Sequence, residues 1–238
     1  MKLSFSNDRV LAVMAHPDDA ELLCAGTLAR AKADGAPIAV CVMCRGDKGA
    51  GSSTSGTNLA AIRREEAEAA VKVIGAELYW QDHSDGELFD NYAGRLKLVE
   101  AYRKFRPTLV IAHSIDDYHP DHRAASVLAE AATWFAASRG HVTKGWDPLD
   151  APPALWWADT INMSGFDPAF YVDVTAQMDA KRRMLECHRS QLERSGDRDF
   201  APLADLMHRQ AAARGAQAGV AAAEGFRPHR AFKRLRAW

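Results

Sequence analysis

Short apolar runs alternate along the chain with longer stretches in which apolar residues recur every three or four positions. The short runs are typical of strands buried on both faces, and the longer period is typical of helices packed against them. This alternation predicts an α/β fold, a doubly wound and mostly parallel Rossmann-like sheet. The predicted strands are VLAVMA, residues 38–44, LYWQ, TLVIAHS, ALWWADT and FYVDVT, and the predicted helices are 20–32, 59–74, 92–105, one after His122, and 176–187.

The last part of the chain has a different pattern. From about residue 200 it is rich in alanine and contains Gly215, Gly219 and Gly225, which predicts an irregular helical segment. No repeat or low-complexity linker divides the 238 residues, and this length can bury one large core. We therefore expect a single domain over residues 1–238.

The balance of charged residues argues against nucleic-acid and membrane partners. The 30 lysines and arginines nearly balance the 31 aspartates and glutamates, for a formal net charge of −1, and no basic stripe points to nucleic acid or a membrane surface. The run from Val10 to Ala15 is too short for a signal peptide, and no later run approaches bilayer length. We expect a cytoplasmic protein with a small-molecule substrate.

Two cysteines in the second predicted strand, Cys41 and Cys44, have the C-x-x-C spacing of redox and metal sites. On a strand, an offset of three directs side chains to opposite faces. A structural zinc site would also need a second such pair, which the sequence lacks. These cysteines are therefore predicted to be small core residues.

A glycine-rich segment, GDKGAGSSTSGTN, follows the second predicted strand. Its glycines have the spacing of a phosphate loop, but no lysine lies between Gly56 and Thr57. No G-x-G-x-x-G fingerprint follows the first strand either. A mobile loop near the substrate is the favoured interpretation.

Two polar clusters follow predicted strands. AHPDDAEL comes directly after VLAVMA, and HSIDDYHPDH leaves the end of TLVIAHS. Each alone could be a turn, with Asp18 or Asp19 capping the next helix. Because ligands bind at the carboxyl edge of parallel sheets, and both clusters contain His-Pro-Asp, we expect them to converge in one site.

The residue types in these clusters suit a metal centre. His16 and Asp19 are three residues apart, as are His119 and His122, and two histidines with one carboxylate are a usual set for a catalytic zinc. Asp18 would be left to accept a proton from water, and the spare histidine to donate to an oxyanion. Spacing alone does not decide whether His119 or His122 is the ligand.

AHPDDAEL together with DDYHPDH resembles the LmbE-like or PIG-L family of metal-dependent deacetylases, which act on N-acetylglucosamine-containing molecules. GDKGAGSSTSGTNLAAIRREEAEAA, DGELFDN, CHRSQ and GVAAAEGF are similar to segments of the branch that includes bacillithiol-pathway N-acetylglucosaminyl-malate deacetylases. The commonest first motif has Glu directly after the second Asp, whereas here Ala20 precedes Glu21. This departure bears on the substrate more than on the mechanism.

The resemblance implies an LmbE-like fold and a metal-dependent amide hydrolase that releases acetate from an N-acetylated amino sugar. It also implies that His16, Asp19 and His122 bind Zn²⁺ or another divalent ion such as Fe²⁺. Asp18 would be the general base, His119 the oxyanion stabiliser or acid, and Arg63 a substrate contact. The family's habit implies a homo-oligomer, a trimer or a hexamer. The alternatives are another N-acyl substrate, such as diacetylchitobiose or an antibiotic pseudodisaccharide, and a non-catalytic sugar-binding protein.

Other residues allow two interpretations each. Asp121 could orient an imidazole or cap the following helix, and without the resemblance Arg63 would be an exposed ion-pair partner on a helix. CHRSQ could line the site or end a helix. The tryptophans Trp146, Trp156 and Trp157 could stack on a sugar, but core or interface positions are favoured.

Overall fold

A computed structural model describes residues 3–49, 56–193 and 202–231. Over these residues seven strands form one sheet in the order β3-β2-β1-β4-β5-β7-β6. The strands are β1 (Val10–Met14), β2 (Ile38–Cys44), β3 (Glu77–His83), β4 (Leu109–Ala112), β5 (Ala154–Ala158), β6 (Phe170–Asp173) and β7 (Ala223–Pro228).

Strands β1 to β5 are parallel, and β7 runs antiparallel to both β5 and β6. The helices are α1 (Asp19–Leu23), α2 (Ala25–Ala33), α3 (Gly56–Ile74), α4 (Tyr92–Phe105), α5 (Pro120–Phe135), α6 (Met178–Leu185), α7 (Arg189–Leu192) and α8 (Leu203–Ala218). The predicted α/β class and the mostly parallel sheet are confirmed.

Apolar side chains cover both faces of the sheet. In β1, Val10, Ala12 and Met14 belong to one core cluster, while Leu11 and Val13 belong to the other. Helices α4 and α5 contribute to the second cluster, and α1, α2, α3, α6 and α8 to the first. A strand buried on both faces has no polar side, which explains its uninterrupted apolar run. No helix in the described ranges is long and apolar enough to cross a membrane.

The predicted helix 20–32 is divided at Cys24 because a buried carboxylate binds the start of α2. Glu224 accepts hydrogen bonds from the backbone N–H groups of Gly26 and Thr27, at 2.9 and 2.7 Å. Lys181 pairs with Glu224 and donates to the carbonyl of Leu22 at 3.0 Å. This buried pair joins the end of α1 to the start of α2 and so fixes the helix that carries Asp19.

The prediction of an irregular helical end is wrong in two places. Helix α8 continues through Gly215, and the chain then forms β7 instead of more helix. A Cβ atom at Gly215 would lie 2.8 Å from backbone atoms of Ala221 and Ala222. Glycine is therefore needed for the close approach of the chain to α8, not to break the helix.

The two cysteines of β2 are free and buried, as predicted. They do not lie on opposite faces, however, because both pack in the same core cluster. The pairing of β2 with β3 is irregular between Val42 and Cys44, and such a bulge shifts the alternation of side chains. Cys44 consequently lies at the margin of the polar site, with its sulfur within 4.8 Å of ligand atoms of His16 and Asp121.

Candidate functional site

The two polar clusters meet at the carboxyl edge of the sheet, where β1 and β4 are neighbours and Val13 pairs with Ala112. The sheet order changes direction here, since β2 lies on one side of β1 and β4 on the other. The ring centroids of His16 and His119 are 5.0 Å apart, and those of His16 and His122 are 5.4 Å apart. The structure thus brings together residues that are about a hundred positions apart in sequence.

Asp19 lies between two imidazoles. Its Oδ2 is 3.4 Å from Nδ1 of His16 and 3.4 Å from Nε2 of His122. The same oxygen accepts a hydrogen bond from the backbone N–H of His16 at 2.7 Å. Asp19 is therefore held facing both rings and does not cap α1.

Each of these imidazoles has a second carboxylate at its other nitrogen. Nε2 of His16 is 3.2 Å from Oδ2 of Asp121, and Nδ1 of His122 is 3.1 Å from Oδ1 of Asp117. Such outer carboxylates fix the orientation and basicity of metal-binding histidines. Asp121 was predicted either to orient an imidazole or to cap α5, and the cap is instead His119, whose Nδ1 accepts from the N–H of Asp121 at 3.2 Å.

A further histidine, His113, was not singled out in the sequence. Its ring is fully buried and stacked on His122 at 3.9 Å with an interplanar angle of 15°. Ligand atoms of Asp19, His113 and His122 lie within 4.8 Å of one another, as do those of His16, His119 and His122. Because imidazole lone pairs lie in the ring plane, two stacked rings cannot direct them at one ion. Nε2 of His113 accepts the N–H of Ala15 at 2.9 Å and also lies 3.2 Å from Oδ2 of Asp19. His113 therefore flanks Asp19 in addition to His16 and His122 and supports the site by packing.

The electrostatics of the cluster favour positive charge. Burial lowers the pKa of His16, but hydrogen bonds to Asp121 and Asp19 outweigh this and raise it to about 10. Burial raises the pKa of Asp19, but the neighbouring His122 and His113 hold it well below its usual range. Burial, together with the charge of His122, lowers the pKa of His113 to about 4. A cation between Asp19 and the imidazoles would be stabilised by the same carboxylates.

Asp18 has the backbone of a strained residue, with φ at 104° and ψ at −24°. This left-handed conformation is unusual for a residue with a Cβ and is commonly retained at functional sites. Its side chain is 10% exposed and makes no capping hydrogen bond. Burial raises the pKa of Asp18 to about 6, against the opposing charge of Arg63. Such a carboxylate suits proton transfer near neutral pH.

Arg63 is buried, with only 3% of its surface exposed. Its Nη2 donates to the carbonyl of Pro17 and, at 3.1 Å, to Oδ2 of Asp18. Gly46, at φ 72°, makes room for it, since a Cβ there would lie 2.5 Å from the arginine side chain. The alternative of an exposed ion pair on a helix is therefore wrong for this residue.

These side chains line a cavity of about 500 Å³ at the carboxyl edge, here called the edge cavity. Gln191 from CHRSQ lines it, while His188 is buried beside Glu21 with 3.4 Å between Nε2 and Oε1. Trp156 and Trp157 are core residues of β5. Of the glycine-rich segment, Lys48 and Gly49 reach the cavity, and residues 50–55, on which the loop prediction depends, lie outside the described residues. The lining consists of His16, Asp18, Asp19, Leu22, Lys48, Gly49, Arg63, Asp85, Gly86, Tyr118, His119, Pro120, Asp121, His122, Ile161, Gln191 and Leu203.

Comparison with known proteins agrees with this geometry. The model of the PIG-L family, GlcNAc-PI de-N-acetylase, matches residues 11–133, more than half of the chain, and the chain belongs to this family. The diacetylchitobiose deacetylase of Thermococcus kodakarensis is 29% identical over 196 residues, 77% of this chain and 70% of the relative. The N,N'-diacetylchitobiose deacetylase of Pyrococcus horikoshii superposes with a TM-score of 0.81 at 28% identity, covering 94% and 85% of the two chains. The predicted family and the predicted class, an amidohydrolase of N-acetylated sugars, are confirmed.

Hydratases also resemble the chain. The solved structure of a 4-carboxy-2-hydroxymuconate hydratase from Pseudomonas putida superposes on 96% of it with a TM-score of 0.80 at 24% identity, which shows a shared fold. The 4-oxalmesaconate hydratase of Pseudomonas putida is 30% identical over 127 residues, 52% of this chain and 49% of the relative. Hydratases and deacetylases both require an activated water molecule.

Proposed function

We propose that this protein removes the N-acetyl group from an N-acetylglucosamine-containing small molecule by metal-dependent hydrolysis. The observation that carries the proposal is Asp19 facing two imidazoles, each with its own outer carboxylate, next to the buried Asp18. Solved structures of both kinds superpose on nearly all of the chain, but in sequence the diacetylchitobiose deacetylase aligns with 77% of it and the 4-oxalmesaconate hydratase with 52%. This difference favours amide hydrolysis.

We assign His16, Asp19 and His122 as the metal ligands. Nδ1 of His16 and Nε2 of His122 each lie 3.4 Å from Oδ2 of Asp19, whereas their opposite nitrogens face Asp121 and Asp117. Two imidazoles and a carboxylate are a donor set that zinc commonly takes in hydrolases, and Fe²⁺ also accepts it. When bound, such an ion would polarise the amide carbonyl and make a water molecule more acidic.

We assign Asp18 as the general base. Its carboxylate lines the edge cavity beside Asp19, where it could take a proton from the attacking water and return it to the leaving amine. Arg63 fixes one oxygen of this carboxylate, and we propose that it orients the base as well as contacting the substrate. His119 keeps its Nδ1 as an acceptor for the N–H of Asp121. Its Nε2–H is therefore the donor available to the oxyanion.

Assembly as a trimer or hexamer, a cytoplasmic location, a single domain and the absence of nucleic-acid partners stay predictions from the sequence. So does the placement in the bacillithiol-like branch. The non-catalytic alternative is not favoured, because the chain keeps a full candidate ligand set and a candidate base.

The function is tested by free-amine and acetate release from a panel of N-acetylglucosaminides, with metal content measured on the same sample. We expect equimolar amine and acetate from at least one panel member. A parallel assay with 4-oxalmesaconate would detect hydration. Hydration without any amine release would refute the proposal in favour of the hydratase chemistry.

The outer carboxylates give one prediction. Asp117→Asn or Asp121→Asn should weaken metal affinity by about 10- to 100-fold, because the imidazole that each carboxylate orients becomes less basic and less fixed. Competitive chelator titration measures this affinity. The control is Asp116→Asn, because Asp116 is an exposed neighbour on the same segment. If all three variants bind the metal with equal affinity, Asp117 and Asp121 do not support the metal-binding histidines.

Arg63 gives a second prediction. Arg63→Ala should lower kcat/KM about tenfold to a hundredfold, the loss that corresponds to a charge-assisted hydrogen bond. It should also lower the melting temperature, since a buried Asp18 and the Pro17 carbonyl lose their partner. Arg64→Ala is the matched control, because Arg64 pairs with Glu68 on the exposed side of α3 and such pairs contribute little. An Arg63→Ala enzyme with unchanged kcat/KM would contradict the assignment.

A further inference from the structure

The edge cavity has an exposed aromatic wall. Tyr118 is 56% exposed, lines the cavity, and lies edge-on to His119 and His122 with centroid distances of 6.2 and 6.0 Å. Its hydroxyl makes no hydrogen bond to the residues that the structure describes. More than half of the residue, with its hydroxyl, is therefore left available for contact with a ligand in the cavity.

The backbone beneath this ring is fixed. Arg123 donates from Nη1 to the carbonyls of Asp117 and Tyr118, at 2.7 and 2.9 Å. The N–H of His119 donates to Oδ1 of Asp117 at 2.9 Å. The backbone that carries Tyr118 is thus held in place relative to the proposed metal ligands, and a ligand would have to order only the side chain.

The lysine and arginine side chains in the described lining of the cavity are already paired with carboxylates. Among its described lining residues the lysine and arginine side chains are Lys48 and Arg63, and they pair with Glu87 at 2.7 Å and with Asp18 at 3.1 Å. Asp85 adds a further negative charge near Lys48. His16, which also lines the cavity, lies between Asp19 and Asp121. A carboxylate or phosphate on the part of the substrate away from the acetamido group would therefore meet no unpaired lysine, arginine or histidine cation among these residues, and Asp85 would repel it.

Apolar side chains complete the lining. Leu22, Ile161 and Leu203 come from α1, from the segment after β5 and from the start of α8. A cavity that combines aliphatic and aromatic surface with a few polar groups suits a ring that has both apolar and polar faces. A neutral sugar has this character.

We propose that Tyr118 is a specificity-determining residue that packs against a sugar ring, and that the preferred substrate is an uncharged N-acetylated glycan. This inference rests on the proposed function and goes beyond it, since it distinguishes a neutral sugar from a malate- or phosphate-bearing one. Packing of this kind contributes to substrate binding alike in the ground state and the transition state, so its loss appears mainly in KM.

The test compares steady-state amine release by the metal-loaded enzyme from N,N'-diacetylchitobiose, N-acetylglucosaminyl malate and N-acetylglucosamine 6-phosphate. We expect kcat/KM for the neutral sugar to exceed that for either anion by about tenfold or more. Tyr118→Ala should raise KM for the neutral sugar by about five- to tenfold with kcat and metal content retained, and Tyr118→Phe should restore it. A preference for either anion, or an unchanged KM in Tyr118→Ala, would overturn the inference.

Failure of the proposed function would give a different result: the metal-loaded wild-type protein would release no amine from any of the substrates. In that case the inference about Tyr118 is tested by calorimetric titration, which measures the affinity of that protein for the same three compounds. Tighter binding of the neutral sugar, weakened in Tyr118→Ala and restored in Tyr118→Phe, supports the inference. Tighter binding of an anion, or no effect of the alanine variant, overturns it.

Discussion

Asp18→Asn is expected to keep its metal and to lose about a hundredfold or more in kcat, within the range that general acid-base catalysis supplies. Asparagine has the same shape and tolerates the left-handed backbone at φ 104°. It can still accept a hydrogen bond from Arg63, but it cannot take a proton from water. The fold and the metal site should therefore remain while turnover is lost.

The measurement is single-substrate turnover with metal content and melting temperature determined on the same preparation. Asp116→Asn is the matched control, because Asp116 is an exposed carboxylate two residues before Tyr118. Its turnover should equal that of the wild type. A fully active, metal-loaded Asp18→Asn enzyme would show that the base lies elsewhere.

Loss of a ligand should have a different signature. His16→Ala, Asp19→Ala and His122→Ala should each lower metal affinity by more than the about 10- to 100-fold that removal of an outer carboxylate costs. A three-ligand site reduced to two loses both charge neutralisation and geometry. Each substitution also leaves a buried side chain without its partner, which can destabilise the fold by itself. The melting temperature of each metal-free variant must therefore be compared with that of the metal-free wild type.

Two control variants make this prediction specific. His208→Ala removes an exposed histidine of α8 and should leave metal affinity unchanged. His119→Ala should keep the metal while slowing turnover, because His119 is assigned to the oxyanion and not to the ion. Retention of stoichiometric metal by His16→Ala and His122→Ala, or its loss in His119→Ala, would contradict the ligand assignment.

The sequence predicted the location of the site because strand ends and polar clusters are local features. VLAVMA and TLVIAHS are uninterrupted apolar runs, and a parallel sheet places their carboxyl ends at one edge. His16, Asp18, Asp19, His119 and His122 could therefore be grouped before any coordinates were known. Spacing left the choice between His119 and His122 open, and the family resemblance implied His122. The structure adds support for this assignment, because Asp117 lies behind His122 and the backbone N–H of Asp121 is bonded to His119.

Features that depend on distant packing could not be predicted in the same way. Glu224 breaks a helix near residue 24 across about two hundred positions of sequence, and the strand that carries it was predicted as helix. Alanine-rich sequence favours helix, but β7 is fixed by pairing with β5 and β6. The burial of Arg63 requires a glycine at position 46, and only the three-dimensional structure shows that Gly46 lies beside the arginine side chain.

The supporting histidine was missed for a related reason. His113 directly follows the apolar residues of β4, and it is not part of a His-Pro-Asp sequence. Its stacking on His122 results from the geometry of the sheet edge. A polar residue placed at the end of a fully apolar strand was the only sequence signal for it.

The central claim is most directly tested by titrating metal back into metal-free protein and recording amine release from the best N-acetylglucosaminide at each step. The account predicts no release without metal, and a rate that rises linearly and stops rising at one ion per chain. Amine release by the metal-free protein, or none at one bound ion per chain, would contradict it.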